Sequence, residues 1–268
     1  MLLSPLSADE ISNALRTQCM GNNVIYCQVM SSTMDVAQKN ISTAPHGTVV
    51  LCEKQERGQG RLSRQWVSPI GGVYLSVILH PPMQVLSQLT ILASLATADA
   101  IHETCGLDAC FKWPNDVMLH NKKVSGIIAR SGQDEHGKLW AVVGIGINAN
   151  MMASEQPAEI VDTAVSLSQI TGCEVLRHKL IISLLQNFER RYNALIDGGL
   201  LWHEWKQRLV TLGERVTVKS GAVVYEGLAE AINADGALLL REQSGELIVI
   251  PAGDVTLKTR HCGHDVYQ

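Results

Sequence analysis

The spacing of hydrophobic residues predicts that helices and strands follow each other along most of the chain. Apolar residues three or four positions apart predict amphipathic helices, whereas short apolar runs bounded by turn residues predict strands. Helices are predicted over residues 6–17, 32–40, 88–104, 161–170, 176–196 and 201–209. Strands are predicted over residues 24–28, 48–54, 72–79, 109–112, 123–130 and 139–147. The core stripe of the longest helix is predicted to be Leu176, Leu180, Leu184, Phe188 and Leu195.

The hydrophobic pattern changes near residue 211. Short apolar runs separated by tight turns follow, at residues 216–219, 223–227, 229–232, 237–240 and 247–250. Five short strands of this kind predict a small β-barrel of the SH3-like type. We therefore expect one large domain over residues 1–210, and a small C-terminal domain with its tail over residues 211–268.

Composition and charge narrow the classes of protein that fit. The chain has 268 residues, of which 46% are hydrophobic and 18% are charged, as expected for a globular protein without extensive disorder. A net charge of −4 offers no basic stripe for a nucleic-acid backbone. No run approaches about 18 uninterrupted apolar residues, so we expect no transmembrane helix. The seven scattered cysteines include no Cys-x-x-Cys pair, which predicts reduced, mostly buried thiols in a cytoplasmic protein without a signal peptide.

Residues 55–66, called the glycine loop below, are the first candidate for chemistry. The sequence there is QERGQGRLSRQW, and it lies between two predicted strands. Glycines let a backbone approach an anion closely, free N–H groups point at that anion, and arginines neutralise it with a planar fork of donors. The loop therefore predicts a phosphate or carboxylate site. Alone, the pattern fits a solvated turn equally well.

A second segment makes the prediction specific. Residues 111–118 read FKWPNDVM and residues 122–128 read KKVSGII. Together with the glycine loop, they closely resemble the catalytic domain of biotin protein ligases. That family carries an Arg-Gly-Arg glycine loop, a Lys-Trp-Pro-Asn-Asp segment and a Lys-x-x-Gly-Ile segment in this order. The resemblance covers residues 31–148 and continues weakly to the C-terminus.

The resemblance implies both a fold and a reaction. The fold is α+β, with a mixed β-sheet flanked by helices as in class II aminoacyl-tRNA synthetases, followed by a small SH3-like barrel. The reaction uses ATP and Mg²⁺ to convert biotin to biotinyl-5′-AMP and pyrophosphate. Biotin is then transferred to a lysine of a biotin carboxyl carrier protein. Neither DNA nor a membrane is an expected partner, and the chain could form a homodimer.

The chemistry requires that two anions, a carboxylate and an α-phosphate, be brought into bonding contact. Several fixed cations and N–H donors must therefore converge on one point. The residues matched to catalysis are Lys123, Arg61 and Lys112. Those matched to biotin are Ser32, Thr33, Met34, Gln55, Gly58, Gln59, Gly60, Arg61, Lys123 and Gly126. Those matched to ATP are Arg61, Arg64, Trp66, Lys112, Asn115, Asp116, Lys123 and Asn148, with Asp116 the candidate Mg²⁺ ligand.

Each assignment has a plainer alternative. Lys123 could be a solvated lysine at a strand edge, since lysine is seldom buried. Asp116 could cap a turn, and Ser32 could be an ordinary helix N-cap. Trp66 and Trp113 could both belong to the core, although the family places the first of them beside adenine.

The chain departs from the family pattern at Gln59, where many relatives have the first arginine of Arg-Gly-Arg. The backbone N–H groups remain, but one cationic side chain is missing. Arg57 could partly replace that charge. The departure puts the affinity for biotin in question more than the type of reaction.

Two other functions compete with the biotin ligase. A lipoate–protein ligase or octanoyltransferase shares the fold, but those enzymes lack Lys-Trp-Pro-Asn-Asp. A biotin-responsive DNA-binding repressor is a different class. Only 31 residues precede Ser32, too few for three helices of about 11 residues with their turns. Two further segments carry predictions: residues 150–162 should order over the adenylate, and the tail at residues 261–264 should be frayed instead of holding a metal.

Overall fold

The structure is a computed structural model that describes residues 4–151, 158 and 160–257. The predicted tail at residues 261–264 and most of the segment at 150–162 lie outside the described residues. The described helices are α1 (Ala8–Ala14), α2 (Thr33–Lys39), α3 (Leu89–Cys105), α4 (Leu167–Thr171), α5 (Arg177–Ile196) and α6 (Leu201–Gln207). The first seven strands are β1 (Val24–Met30), β2 (Thr48–Gln55), β3 (Val73–Leu79), β4 (Cys110–Lys112), β5 (Asp116–Leu119), β6 (Lys122–Gln133) and β7 (Leu139–Ile147). The last five are β8 (Arg215–Ser220), β9 (Val223–Ile232), β10 (Leu238–Glu242), β11 (Leu247–Ile250) and β12 (Asp254–Leu257).

The first seven strands form one mixed sheet, as predicted. Their order is β1-β2-β3-β7-β6-β5-β4. Strand β1 is parallel to β2, and the other neighbours are antiparallel. Helices α3 and α5 pack against one face of the sheet and form the larger hydrophobic cluster with it. Helix α2 packs against the other face of the sheet and forms a smaller cluster. The sheet is therefore covered on both sides, and polar groups are left around the N-terminus of α2.

Helix α3 is the central helix of the larger cluster. With the short 3₁₀ turn before it, the stretch Met83–Cys105 is long and apolar enough to cross a membrane by length and composition. However, 72% of its apolar window is buried inside the fold, against the sheet and α5. The helix ends before Gly106, as predicted.

The last five strands form an antiparallel sheet in the order β11-β10-β9-β8-β12, which confirms an all-β C-terminal unit. Two details differ from the prediction. The runs at 223–227 and 229–232 form one strand, β9, whose pairing with β10 shifts register between Leu239 and Leu240. Strand β12 was not predicted at all. The sheet shares the large hydrophobic cluster, and the Trp113 indole donates to the Gly236 carbonyl at 2.9 Å.

Three predictions in the larger domain are wrong. The helix predicted over 161–170 is present only as α4. Before it, residues 160–163 form a turn, and the Lys123 backbone bonds to Thr163 and Val165 on either side of Ala164. Strand β5 was missed. Leu176 is 45% exposed because it precedes the first turn of α5, so it does not belong to the core stripe.

The cysteines also differ from the prediction. The six cysteines within the described residues are free, as expected, but only Cys52 is buried. Cys27 and Cys173 are exposed, and the other three are partly exposed. Most of the described cysteines are therefore not core residues.

A buried ion pair ties the start of the described chain to the sheet and to α5. Arg177 Nη1 lies 2.5 Å from Glu53 Oε2, and the two side chains are 3% and 4% exposed. Arg177 also donates to the Ser4 and Gly72 carbonyls, and the Leu6 N–H donates to Glu53. The Glu53 carboxylate and the Arg177 guanidinium depend on each other, because either charge left buried without its partner would keep its full desolvation penalty.

Replacing Arg177 with methionine should lower the free energy of unfolding by about 3–5 kcal/mol, because Glu53 would remain buried without its cation. Arg190→Met is the matched control on the same helix. Its side chain is 62% exposed and pairs with Asp99, so its loss should cost less than about 1 kcal/mol. Urea unfolding curves of both variants test this. Equal costs would show that the Glu53–Arg177 pair is no more important than a surface pair.

His46 predicts a pH dependence of stability. The His80 backbone N–H donates to His46 Nδ1 at 3.0 Å, so that nitrogen is unprotonated. Burial lowers the pKa of His46, and nearby His80 acts in the same direction, while Glu189 opposes them. A histidine with a lowered pKa in the fold stabilises the protein fully above its unfolded pKa of about 6.5. That contribution to the free energy of unfolding is lost as the pH falls from the unfolded pKa toward the lower pKa of His46 in the folded protein.

The free energy of unfolding should therefore fall between pH 7.5 and pH 5.5 by more in the wild type than in His46→Phe. Phenylalanine keeps a ring beside Tyr192, 5.2 Å away, but cannot titrate. His136→Gln, which removes an exposed histidine, should retain the wild-type pH dependence. Identical pH profiles for wild type and His46→Phe would contradict this explanation.

Candidate active site

A cavity of about 540 Å³ lies between the N-terminus of α2, the glycine loop, the central strands of the large sheet and β12. All but one of the sequence-predicted site residues line it. The lining residues among them are Ser32, Thr33, Met34, Gln55, Gln59, Gly60, Arg61, Arg64, Trp66, Lys112, Asn115, Asp116, Lys123, Gly126 and Asn148. Lining residues that the sequence did not predict include Asn121, Met151, Asp162, Thr163, Asp254 and Thr256. The separate motifs thus meet at one place.

One row of residues across the sheet forms the floor of the cavity. Lys112, Asp116, Gly126 and Gly146 are successive cross-strand partners on β4, β5, β6 and β7. A Cβ atom on Gly126 would lie 2.9 Å from the Trp66 ring, and one on Gly146 would lie 2.5 Å from its Nε1. Only glycine therefore lets the indole of Trp66 rest directly on the sheet. The row places a flat aromatic surface next to two charged side chains.

Lys123 reaches the same face because of a β-bulge. The β5–β6 pairing runs Val117 to Ser125 and then Met118 to Lys123, so Val124 is an extra residue. Without it, Lys123 and Gly126, three positions apart, would point to opposite faces of the sheet. The bulge turns the Lys123 side chain toward Gly126, so that Nζ would lie 3.2 Å from a Cβ there.

The Lys123 ammonium group has two partners in the cavity. Nζ lies 2.5 Å from Asp116 Oδ1, and it lies 5.2 Å from the centre of the Trp66 ring. The side chains of Lys123 and Asp116 are 30% and 21% exposed. The solvated lysine and the simple turn-capping aspartate are therefore not what the structure shows.

The backbone of Lys123 is held by a short segment that crosses the cavity edge. Lys123 N–H donates to the Thr163 carbonyl at 2.8 Å, and Val165 N–H donates to the Lys123 carbonyl at 3.0 Å. Asn148 joins the same junction, since its backbone N–H donates to the Val124 carbonyl and its side chain to Val165. Asn148 is 4% exposed. Its geometry supports the position of Lys123, whatever contact it makes with a nucleotide.

Arg61 lies where the glycine loop meets the rest of the site. Its Nη1 donates to Asn115 Oδ1 at 3.3 Å and to the Gly253 carbonyl, just before β12, at 3.1 Å. Burial lowers the pKa of its guanidinium, and the carboxylates of Asp254 and Asp116 oppose that shift. Arginine remains charged in proteins, so this is a desolvated cation facing the cavity.

The C-terminal sheet also supplies a counterion. Asp254, the first residue of β12, lies 2.5 Å from Arg64, whose side chain is 70% exposed. Nothing in the local sequence marks this aspartate, because its partner is far away in the chain. The two internal carboxylates, Asp116 and Asp254, thus each neutralise one cation of the site.

Gly58 is the site residue that does not line the cavity. A Cβ atom there would lie 2.3 Å from the Trp66 carbonyl oxygen and 2.5 Å from Ser68 Oγ. Trp66 N–H also donates to the Gly58 carbonyl at 2.9 Å. The absence of a side chain therefore lets the two ends of the glycine loop pack together, and direct contact with biotin is not supported.

The structure shows the positions of Gln59, which stands where many relatives have an arginine, and of nearby Arg57. The Gln59 amide donates to Asp35 Oδ1 at 2.6 Å, which ties the glycine loop to α2. Arg57 is exposed and lies outside the cavity lining. It therefore does not supply the charge that Gln59 lacks, contrary to the expectation.

The end of the cavity beside α2 is polar and uncharged. Thr33 N–H donates to Gln55 Oε1 at 2.8 Å, and Gln55 Nε2 donates to Ser68. Ser32 is fully buried and is the N-cap residue of α2, but its side chain makes no capping bond. Within the described residues, Ser32 Oγ, Gln59 Oε1 and Trp66 Nε1 are buried without a hydrogen-bond partner. Buried polar atoms normally have partners, and these three belong to residues that line the cavity, where a ligand could supply them.

The described residues contain no cluster of three or more His, Cys, Asp or Glu side chains suited to holding a metal. Mg²⁺, however, commonly binds through one or two carboxylates together with substrate phosphates. Asp116, with the Asn115 amide oxygen beside it, fits that kind of site. A permanent metal held by protein ligands alone does not fit.

Known proteins match both parts of the chain. Residues 25–148 match the Biotin/lipoate A/B protein ligase family, and residues 211–258 match the Biotin protein ligase C terminal domain. The Bifunctional ligase/repressor BirA of Bacillus subtilis is 37% identical over 90% of this chain and 76% of its own length. The Biotin--[acetyl-CoA-carboxylase] ligase of Paracoccus denitrificans is 35% identical over 77% of this chain and 88% of its own.

A solved structure agrees with these relatives. The biotin protein ligase from Aquifex aeolicus in complex with biotin and ATP superimposes with a TM-score of 0.76 at 28% identity. The match covers 89% of this chain and 99% of the other. With the motifs converging on one cavity and with matches over both sheets, the chain belongs to the biotin protein ligase family.

Proposed function

We propose that the protein is an ATP-dependent biotin–protein ligase. It activates biotin to biotinyl-5′-AMP with release of pyrophosphate and then transfers biotin to a lysine of a biotin carboxyl carrier protein. The observation that carries the proposal is the composition of the cavity, which joins a neutral polar end to an end with four cations. The relatives' names, and the related structure that contains biotin and ATP, support the same reaction.

The neutral end suits the fused ring of biotin. Its ureido group carries both donors and a carbonyl acceptor, and burying such a group without partners would be costly. Ser32 Oγ and Gln59 Oε1 have no other partner within the described residues, so they can satisfy it. Thr33 and Gln55 fix the shape of this end through their mutual hydrogen bonds.

The cationic end suits the reacting groups. Arg61, Lys112 and Lys123 would surround the biotin carboxylate and the α-phosphate, and Arg64 lies at the outer side. Each preorganised donor at developing charge contributes about 3 kcal/mol to the transition state. On binding, Lys123 and Arg64 would exchange their contacts with Asp116 and Asp254 for contacts with the substrate anions.

Mg²⁺ would be held by Asp116 together with the phosphates of ATP, and it would neutralise charge on the leaving pyrophosphate. Release of Asp116 from Lys123 fits both needs, because the carboxylate becomes available as the ammonium moves to the substrate. The chain's own residues orient the two substrates and supply the remaining positive charge.

A test of the proposal combines the purified chain with ATP, Mg²⁺, biotin and a carrier domain, and follows both products by mass spectrometry. We expect biotinyl-AMP without the carrier, and a biotinylated carrier lysine with it. Lipoate and octanoate serve as competing substrates. Adduct formation with lipoate but not with biotin would overturn the proposal in favour of a lipoate ligase.

We also propose that the chain acts without binding DNA. The net charge of the 268 residues is −4, which offers no basic stripe for a nucleic-acid backbone. The B. subtilis relative is named as a ligase and repressor, so the point is open to a direct test. Biotin-dependent retardation of genomic DNA fragments at physiological salt would contradict it.

Lys123→Ala should lower the rate of pyrophosphate release by roughly 100-fold or more, because a preorganised cation at the reacting centre is lost. The neighbouring Lys122→Ala is the control, since the Lys122 ammonium group only approaches the Val161 carbonyl at 3.5 Å. Lys122→Ala should retain the wild-type rate within about twofold. Equal rates for both variants would show that the assignment of Lys123 is wrong.

Arg61→Gly should release the activated intermediate more than it slows its synthesis. Arg61 can hold the phosphate and carboxylate oxygens with charge-assisted bonds that persist after the anhydride forms, so its loss should raise the off-rate. Lys123 and Arg64 would still support activation. The free anhydride would then acylate lysines of a bystander protein, detected on a biotin blot.

The control for this variant is Arg57→Gly, which removes an exposed arginine of the same loop outside the cavity lining. It should label the carrier and not the bystander protein. An inactive Arg61→Gly without bystander labelling would show that Arg61 serves the activation step itself.

A further inference from the structure

A second, smaller cavity of about 200 Å³ lies directly behind the first. Arg61, Pro114, Asn115 and Ile128 line both cavities and form the wall between them. At the centre of this wall, the hydrogen bond between Arg61 Nη1 and Asn115 Oδ1 is 3.3 Å long. The same Nη1 also donates to the Gly253 carbonyl at 3.1 Å, so the Arg61 side chain and its two hydrogen bonds separate the cavities at this point.

The second cavity opens to solvent on its far side. Ser87, Ala129, Asp235 and Ala252 line it and are exposed, whereas Trp205, which also lines it, is 1% exposed. These residues come from the turn before α3, from β6, from the C-terminal sheet and from α6. The cavity is therefore a passage from the surface to the back of Arg61.

The proposed reaction needs such a passage. After the first step, biotinyl-AMP would fill the large cavity between the α2 end and the nucleotide end, with its anhydride at Arg61 and Lys123. The acceptor amine has to reach the anhydride carbon without displacing either half of the intermediate. Arg61, which lines both cavities, would lie between the second cavity and that carbon.

The dimensions and polarity of the second cavity suit a lysine side chain. A volume of 200 Å³ holds roughly six waters at about 30 Å³ each, enough for a four-carbon stem with its amine. Ile91 and Ile127 would contact the stem, and the hydroxyl groups of Ser87 and Thr90 and the carboxylate of Asp235 offer oxygens to the ammonium at the mouth. Trp205 Nε1 is buried without a partner within the described residues and can donate to a water or a peptide carbonyl.

We propose that the second cavity is the access route by which the acceptor lysine of the carrier reaches biotinyl-AMP. This inference rests on the proposed function. The lysine enters as an ammonium ion at Asp235 and loses one proton to water at the mouth. It then advances as the neutral amine, which the positive charge of Arg61 favours over the ammonium.

The transfer step balances within this geometry. The amine nitrogen attacks the anhydride carbon and a C–N bond forms. The bond from that carbon to the phosphate oxygen breaks, and its electron pair leaves with AMP. The second amine proton passes to water in the second cavity, and the product is an amide.

The test fills the passage from its exposed rim. Ala129→Phe and Ala252→Phe place a ring at the mouth from two different elements, and neither residue lines the large cavity. Ala222→Phe adds the same ring to the exposed β8–β9 turn, outside both cavities, and is the matched control. Biotinyl-AMP formation is measured without acceptor, and transfer is measured to a carrier domain and to Nα-acetyl-lysine methylamide.

We expect both rim variants to form biotinyl-AMP within about twofold of the wild type and to lose about tenfold or more in kcat/KM for transfer. The loss should apply to the carrier and to the small lysine compound alike, and Ala222→Phe should lose neither. Undiminished transfer to the small compound would overturn the inference, since the rings would then block only the docking of the carrier. Absence of biotinyl-AMP in the wild type would instead disprove the proposed function.

Discussion

Four cations face one cavity, and their mutual repulsion is the constraint around which the site is built. Two like charges 4 Å apart repel by about 1 kcal/mol in water and about 4 kcal/mol in a protein-like medium. Asp116 lies 2.5 Å from Lys123 and Asp254 lies 2.5 Å from Arg64, so each carboxylate offsets one cation while no substrate is bound. The same cations can then receive two anionic substrates, because their carboxylate partners are replaceable.

The large sheet determines where these charges point. Cross-strand register brings Lys112 and Asp116 beside the glycine pair that supports Trp66. The bulge in β6 then turns Lys123 to the same face. A change of one residue in the spacing of the motifs would move a cation to the opposite face, where α3 and α5 pack. The spacing between Lys-Trp-Pro-Asn-Asp and Lys-x-x-Gly-Ile is thus a geometric requirement of the sheet.

Periodicity and motifs were sufficient to predict most helices and strands, and all but one of the predicted site residues line the cavity. What they missed depends on contacts between distant parts of the chain. Residues 161–165 have an apolar pattern that suits a helix, but they form a turn closed on the Ile160 carbonyl and then pair with the Lys123 backbone. Asp254 carries no local signal, because its importance comes from Arg64, which is 190 positions earlier in the sequence. Gly58 was assigned to ligand binding, although its lack of a side chain serves the packing of the glycine loop.

Substrate anions should take over the cations that Asp116 and Asp254 hold in the free protein. A crystal structure of the protein with biotinyl-AMP bound tests this most directly. Lys123 Nζ should lie within about 3.2 Å of the ligand's carboxyl or phosphate oxygens, and should no longer be in hydrogen-bonding contact with Asp116. The fused ring of biotin should lie against Ser32. An intermediate bound with the Lys123–Asp116 contact intact, and with no cation touching its anhydride, would show that the substrate anions do not replace these carboxylates.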